Sequence, residues 1–184
     1  EGEKLFELLL TKAQIEHILT VLRKHQIPMV LEGPNYIYVD EKDFKDDPYV
    51  IYLRNELGEN LKSITGTAQY EVNKLSAELG NADVELVRKE LGTEFDMIVH
   101  EPDGILEIGQ AGHSKASGIE RLGIAKEDTY AFGDSANDVE MLEFVAHGIA
   151  MGNGTDVAKN AAEFVTTDIH KDGIWNGLKH YGLI

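Results

Sequence analysis

The sequence YAFGDSANDVEML (residues 130–142) places two carboxylates, Asp134 and Asp138, four residues apart, directly after an apolar segment. That segment predicts a short buried strand, so Asp134 is expected just beyond its carboxyl end, where open parallel sheets bind their ligands. Asn137 and Asp138 then fall at the start of the next helix, whose unpaired N–H groups attract anions. Two carboxylates would repel an anion unless a cation intervened, and oxygen ligands alone favour a hard ion such as Mg²⁺. The alternative is that both Asp residues only cap the helix.

Residues 110–184 alternate apolar segments with helical patterns. Three of the apolar segments are expected to be strands, at residues 129–132, 148–151 and 164–166. Alternation of this kind is typical of a parallel sheet covered by helices, which predicts an α/β fold for this part of the chain.

Residues 11–109 follow the pattern of a separate α+β unit. Thr11 and Gln14 form a capping box ahead of helix-spaced apolar residues, which predicts a helix that ends before Pro28. The pattern then predicts a hairpin, a helix, a strand, a helix and a second hairpin, at residues 29–39, 49–57, 71–77, 83–91 and 95–108. Residues 1–10 are interpreted as a linker, and residues 110–113 as the hinge between the two units.

The composition excludes several classes of protein. Thirty-three acidic and seventeen basic residues give a formal charge of −16, which argues against nucleic acid and anionic membranes as partners. The absence of cysteine excludes disulfides and thiolate catalysis, and it is compatible with a cytoplasmic location. The apolar segments are too short to span a bilayer.

The stretch GDSANDVEML resembles motif IV of the haloacid dehalogenase-like (HAD) hydrolases. Its G-D-x-x-N-D form, with the following AHGIAMGNG, VAKNAAEFVT and KDGI, is similar to the Cof-type sugar-phosphatase branch (type IIB, C2 cap). The resemblance covers residues 112–184 closely and the preceding unit loosely. It implies that residues 110–184 form the C-terminal half of a Rossmann-like core and that residues 11–109 form an α+β cap of the C2 type. The linker at residues 1–10 would then be a remnant of the core.

The resemblance also implies roles for four residues. Lys115, in GHSKASGIERLGI, would bind the nucleophile and the transferring phosphoryl group. Asp134 would ligate Mg²⁺ directly, Asn137 would contact the phosphate, and Asp138 would hold the metal's water shell or its neighbours. These roles suit a phosphoryl transition state, whose spread negative charge is offset by a metal and a lysine. Ala116 stands where relatives usually have glycine, and the alternative for Lys115 is a solvated lysine beside a helix start.

The family's nucleophile is the first Asp of a D-x-D motif, and no D-x-D occurs in the 184 residues. The resemblance therefore implies that the N-terminal half of the core, with the motif II Ser or Thr, precedes Glu1. The chain by itself is then expected to be inactive. The strand at 129–132 would have an unpaired edge, which the missing N-terminal segment or a second copy would cover.

The expected function is that of a Mg²⁺-dependent phosphatase acting on a small phosphorylated metabolite, such as a sugar phosphate, through an aspartyl-phosphate. The alternative is a truncated, non-catalytic module that binds or scaffolds. A dinucleotide-binding dehydrogenase is rejected, because Val157 stands where the pattern begun by Gly152 and Gly154 needs its third glycine.

Overall fold

The structure is a computed structural model that describes residues 6–65, 70–100 and 103–184. It divides into two compact units, one ending at Ala111 and the other beginning at Gly112. This division lies two residues after the boundary expected from the sequence. The first five residues of the predicted linker lie outside the described ranges, as do Glu101 and Pro102 of the predicted second hairpin.

The described part of the first unit is a six-stranded sheet with helices. Its strands are β1 (Met29–Glu32), β2 (Ile37–Val39), β3 (Leu61–Ser63), β4 (Lys74–Glu78), β5 (Phe95–His100) and β6 (Ile105–Gln110). Its helices are α1 (Lys12–Lys24), α2 (Glu41–Phe44), α3 (Pro48–Leu57) and α4 (Val84–Leu91). The strand order is β3-β2-β1-β4-β6-β5, and the strand pairs are antiparallel except for β2 with β3.

The two faces of this sheet differ in character, because side chains alternate along a strand. One face packs on α1 and α4 and forms the main core, which includes Leu22, Leu31 and Leu75. On the other face, Val30 and Val39 pack with Val50 of α3 in a smaller cluster. Farther along that face, the outward residues of β4 and β6 are mainly polar.

The second unit is a three-stranded parallel sheet with helices on it. Its strands are β7 (Tyr130–Gly133), β8 (His147–Ala150) and β9 (Phe164–Val165), in that order. Its helices are α5 (Lys115–Arg121), α6 (Val139–Phe144), α7 (Asp156–Ala161) and α8 (Gly173–His180). The predicted fold class, a parallel α/β core half plus an α+β unit, is confirmed. Within the described residues, β7 pairs with β8 alone.

Local sequence signals account for most element boundaries. The capping box of Thr11 and Gln14 forms, and α1 begins at the next residue, Lys12. Helices α3 and α4 end at Leu57 and Leu91, where the sequence predicted their ends. Each is followed by a glycine with positive φ, Gly58 and Gly92. Two elements were not predicted, α2 and β3, because they are short and lie in polar sequence.

In the ranges that the structure describes, no helix combines the length and the apolar character needed to cross a bilayer.

Candidate functional site

The carboxyl end of β7 carries the loop that holds Asp134. This strand ends at Gly133, and the side chain of Asp134 is exposed. A 3-10 turn then brings Asp138 back toward the strand end, where its side chain is only 4% exposed. Oδ2 of Asp138 accepts hydrogen bonds from the backbone N–H of Asp134 at 2.8 Å and of Ser135 at 3.2 Å. Asp138 therefore fixes the main chain from which Asp134 projects.

Gly133 is required by the close approach of Asp138. A Cβ atom at residue 133 would lie 2.6 Å from Cβ of Asp138 and 2.9 Å from its Cγ. Real Cβ atoms do not come this close, so any side chain at residue 133 would displace the carboxylate. The backbone of Gly133 does not have a positive φ, and the requirement is therefore steric.

Lys115 is the first residue of α5. Ser114 caps this helix: its Oγ accepts the N–H of Ser117 at 3.3 Å, while Oγ of Ser117 accepts the N–H of Ser114 at 2.9 Å. Nζ of Lys115 donates a hydrogen bond to Oδ1 of Asp138. The Lys115 side chain is 51% exposed, so it pairs with a buried carboxylate and still reaches solvent.

Asp138 is ionised in this arrangement. Burial by itself would raise its pKa, but the hydrogen bonds from Lys115 and from the N–H groups of Asp134 and Ser135 outweigh burial and lower the pKa of Asp138 below its ordinary value. A buried carboxylate with several donors of this kind is charged at neutral pH. Lys115 and Asp138 therefore form an ion pair.

Asn137 lies on the same turn. Its Oδ1 accepts a hydrogen bond from Oγ of Ser135 at 2.8 Å, which orients the side-chain amide. Among the residues that the structure describes, the amide nitrogen of Asn137 donates no hydrogen bond to the protein. This nitrogen can therefore donate to an anion.

The loop after β8 is joined to Asp134 by main-chain hydrogen bonds. The N–H of Met151 donates to the carbonyl of Gly133 at 2.9 Å, and the N–H of Thr155 donates to the carbonyl of Asp134 at 2.8 Å. The same loop reaches the segment after β9, since the N–H of Gly152 donates to the carbonyl of Thr167 at 3.1 Å. The loop considered for dinucleotide binding thus supports the strand end that carries Asp134.

A cavity of about 280 Å³ lies at this end of the parallel sheet. Its apolar lining comes from Phe132, Met151, Ile169 and Ile174, and its polar lining includes Asp134 and Asn153. Oδ1 of Asn153 accepts the backbone N–H of Ile169 at 2.9 Å. Reasoning from the sequence did not single out Asn153, although its place between Gly152 and Gly154 at a strand end could have indicated it.

At this site Asp134 is the residue whose side chain can ligate a hard metal ion. In the described ranges, no three His, Asp or Glu side chains are arranged as a metal site. The exposed carboxylate of Asp134 can supply one oxygen ligand, which agrees with the preference of Mg²⁺ for few protein ligands and several waters. Both oxygens of Asp138 already accept hydrogen bonds within the protein.

The structure therefore joins three of the four predicted residues in one hydrogen-bonded chain, which runs from Lys115 through Asp138 to the backbone of Asp134. Asn137 lies on the turn between the two carboxylates. The family model described as haloacid dehalogenase-like hydrolase matches residues 1–178. The chain belongs to this family.

Its relatives include proteins with named activities. The chain is 36% identical over 138 residues to the 5-amino-6-(5-phospho-D-ribitylamino)uracil phosphatase YitU of Bacillus subtilis, and the match covers 70% of this chain and 47% of YitU. It is 55% identical over 78 residues to an uncharacterized protein in the pdhA 5'region of Geobacillus stearothermophilus, a match that covers 40% of this chain and 82% of that protein. The chain thus spans about half the length of YitU.

Solved structures share the fold. The structure of a HAD subclass IIB sugar phosphatase matches 97% of this chain and 70% of that protein, with a TM-score of 0.77 and 23% sequence identity. The predicted Cof-type HAD fold is confirmed by this likeness and by the family match.

Proposed function

We propose that this HAD-like hydrolase is part of a Mg²⁺-dependent phosphatase that acts on a small phosphorylated metabolite, such as a sugar phosphate, through an aspartyl-phosphate. The observation that carries the proposal is the chain from Lys115 through Asp138 to Asp134 at the carboxyl end of β7. In this chain, the buried carboxylate of Asp138 holds both the ammonium group of Lys115 and the backbone that carries the exposed carboxylate of Asp134. YitU, a relative, is named as a phosphatase of a ribityl phosphate compound.

Each residue then has a distinct task. Asp134 would hold Mg²⁺, which when bound offsets the charge of a phosphate. Lys115 donates to a phosphoryl oxygen from its exposed ammonium, and the amide nitrogen of Asn137 donates to another. Asp138 orients Lys115 and the Asp134 backbone, and through that backbone it would position the carboxylate that holds the metal.

The nucleophilic Asp is proposed to lie outside these 184 residues, since no D-x-D motif occurs among them. Residues 110–184 would be the C-terminal half of the core and residues 11–109 the C2-type cap. The N-terminal half of the core, or a second copy of the chain, would pair with the edge of β7 that no strand in the described ranges covers. A cytoplasmic location, without nucleic acid or membrane as partner, belongs to the same proposal.

Phosphate release from sugar phosphates tests the proposal, with and without Mg²⁺, for the 184-residue chain and for the chain supplied with the N-terminal half of the core. We expect turnover only in the second case and only with Mg²⁺. Lys115→Met and Asp134→Asn should each reduce kcat/KM by about a hundredfold or more. Lys126→Met is the matched control, because it removes one positive charge from the same unit and should have little effect.

Turnover by the 184-residue chain alone would contradict the proposed place of the nucleophile. Metal-independent turnover would contradict the role of Asp134. The rival proposal, a non-catalytic HAD-like module, is favoured by the lack of a D-x-D motif. It predicts that the joined halves bind phosphate esters and release no phosphate.

A further inference from the structure

The two edges of the six-stranded sheet in the first unit differ in their protection against further strand pairing. The edge strand β3 has three residues and carries an exposed lysine, Lys62, at its centre. At the other edge, β5 has six residues, with no lysine, proline or glycine among them, and its ladder with β6 has no bulge. Proteins protect edge strands by keeping them short or by placing lysine, proline or a bulge there, because open N–H and C=O groups recruit another strand. By these criteria β3 is protected and β5 is not.

Alternate residues of β5 direct their main-chain groups to the open edge. The N–H of Ala111 donates to the carbonyl of Glu94 at 3.0 Å, so the even-numbered residues of this antiparallel ladder form hydrogen bonds with β6. The N–H and C=O groups of Phe95, Met97 and Val99 therefore point away from β6. In the described part of the chain, β6 is the only strand that pairs with β5. The outward groups are thus placed to form hydrogen bonds with a further strand.

The side chains of β5 complement a second copy of the same strand. Phe95 and Met97 point into the main core, so Asp96, Ile98 and His100 lie on the opposite face of the sheet. Ile98 is midway between the carboxylate and the imidazole. When two copies of β5 pair antiparallel about a two-fold axis at Ile98, Asp96 of each copy faces His100 of the other. A carboxylate and an imidazole share a hydrogen bond, or form an ion pair when the imidazole is protonated.

The same register also suits the main chain and the core side of the sheet. Met97 of each copy lies opposite Val99 of the other, and both residues have outward main-chain groups, so each such pair exchanges two hydrogen bonds. Both side chains pack in or against the main core, and they continue the apolar face from one copy to the next. A shift by one residue would place outward groups opposite inward ones and lose these hydrogen bonds.

Pairing of this kind ends at two copies. Each copy uses its β5 edge in the contact, so both outer edges of the joined sheet are β3, which is short and carries Lys62. A two-fold contact in which both partners use the same strand closes on itself, whereas a head-to-tail contact can continue into a fibre. A second copy of this chain is therefore the partner that fits β5.

We propose that β5 is the contact surface of a two-fold symmetric dimer, in which two copies join antiparallel with Ile98 of one facing Ile98 of the other. The inference goes beyond the proposed phosphatase function, because it concerns an assembly of two chains through the first unit and needs neither metal nor turnover. It is also separate from the edge of β7, which belongs to the second unit.

A single introduced cysteine tests the contact and its register, because the chain has no cysteine of its own. In the proposed dimer the two Ile98 residues form a pair without mutual main-chain hydrogen bonds, whose Cα atoms are about 4.5 Å apart. A disulfide spans this distance. Ile98→Cys should therefore give a disulfide-linked dimer under mild oxidation, measured by non-reducing electrophoresis. Ile51→Cys, the same change at an exposed position of α3, is the matched control and should stay largely unlinked.

Sedimentation velocity over a concentration series tests the dimer without a cross-link. The salt concentration is about 0.15 M, which screens the repulsion between two chains of formal charge −16. We expect the wild-type chain to form a dimer. Ile98→Lys should raise the Kd of the dimer about tenfold or more, because it places like charges opposite each other across the two-fold axis. Within its own chain the new lysine faces Glu107 of β6, which accommodates it.

Ile51→Lys is the matched control for this change and should leave the Kd unchanged. The proposal is overturned if the wild-type chain stays a monomer throughout the series, if it forms species larger than a dimer, or if Ile98→Lys and Ile51→Lys associate equally. Equal cross-linking of Ile98→Cys and Ile51→Cys also overturns it. If circular dichroism shows that Ile98→Lys does not fold, the cysteine experiment decides by itself. Since no phosphate release is measured, a failure here leaves the phosphatase proposal standing.

Discussion

Lys115 and Asp138, which come from different helical segments of the second unit, are joined by a hydrogen bond from Nζ to Oδ1. The other oxygen of Asp138 accepts the backbone N–H of Asp134 at 2.8 Å. One buried carboxylate therefore controls the position of a cation and of a second carboxylate. The two Asp residues therefore have different roles, and we expect their replacement to have different effects.

Replacing Asp138 should affect stability. Asp138→Asn keeps the shape of the side chain but removes the charge that Lys115 pairs with, in a site that is almost fully buried. We expect a loss of about 1 to 3 kcal/mol in the free energy of unfolding, measured by urea denaturation. Asp134→Asn is the control, because its exposed side chain should contribute little. Equal losses in the two variants would contradict the anchoring role of Asp138.

Replacing Gly133 should displace the buried side chain of Asp138 by steric overlap. A Cβ at residue 133 would lie within 3 Å of Cβ and Cγ of Asp138. We expect Gly133→Ala to destabilise the chain by about 1 to 3 kcal/mol. Gly118→Ala, in α5, has open space around its Cβ and should be neutral or stabilising by up to about 1 kcal/mol. Thermal unfolding of the two variants side by side makes the comparison.

Magnesium binding should depend on Asp134. Titration of the ¹⁵N-labelled chain with Mg²⁺ is expected to shift the amides of Asp134 and its neighbours, since its exposed carboxylate is the proposed ligand. Asp134→Asn should remove these shifts, whereas Asp156→Asn, an equal change in charge at the start of α7, should keep them. Shifts that survive Asp134→Asn would place the ion elsewhere.

The raised pKa of Tyr49 predicts that the chain loses stability at alkaline pH. Burial, and then the charges of Glu32 and Glu78, raise the pKa of Tyr49 to about 12. Because the folded pKa lies above the ordinary value of about 10, the stabilising contribution is complete below pH ~10 and is lost as the pH rises toward ~12. Tyr49→Phe should therefore flatten the fall of stability over this interval. In the wild-type chain, tyrosinate absorbance should show one tyrosine that ionises later than the rest, and Tyr52→Phe, at an exposed position, should leave that late step unchanged.

The sequence predicted the elements whose boundaries depend on short-range signals. The capping box at Thr11 sets the start of α1, and glycines at positive φ end α3 and α4. It also predicted α/β alternation in the second unit, because apolar strands and helices follow each other along the chain. The short elements α2 and β3 were missed, since β3 is held by pairing with β2, a contact that local sequence does not show.

The site was predicted in part. The motif placed Asp134 and Asp138 at a strand end, but sequence spacing could not show that Asp138 turns inward to Lys115 while Asp134 points to solvent. That difference arises from the 3-10 turn between them and from the missing side chain of Gly133. Asn153 has a local signal, its place between two glycines, but its contact with the N–H of Ile169 comes from a 3-10 turn sixteen residues away and could not be predicted.

The loops at the carboxyl end of the parallel sheet are joined through main-chain groups, with Met151 and Thr155 donating to the carbonyls of Gly133 and Asp134. Every residue except proline carries such an N–H, whatever its side chain. Gly152 and Gly154 are exceptions, because a Cβ at either would lie within 3 Å of backbone atoms. Other positions in these loops can diverge in evolution, and new selectivity can arise around the carboxylate without moving it.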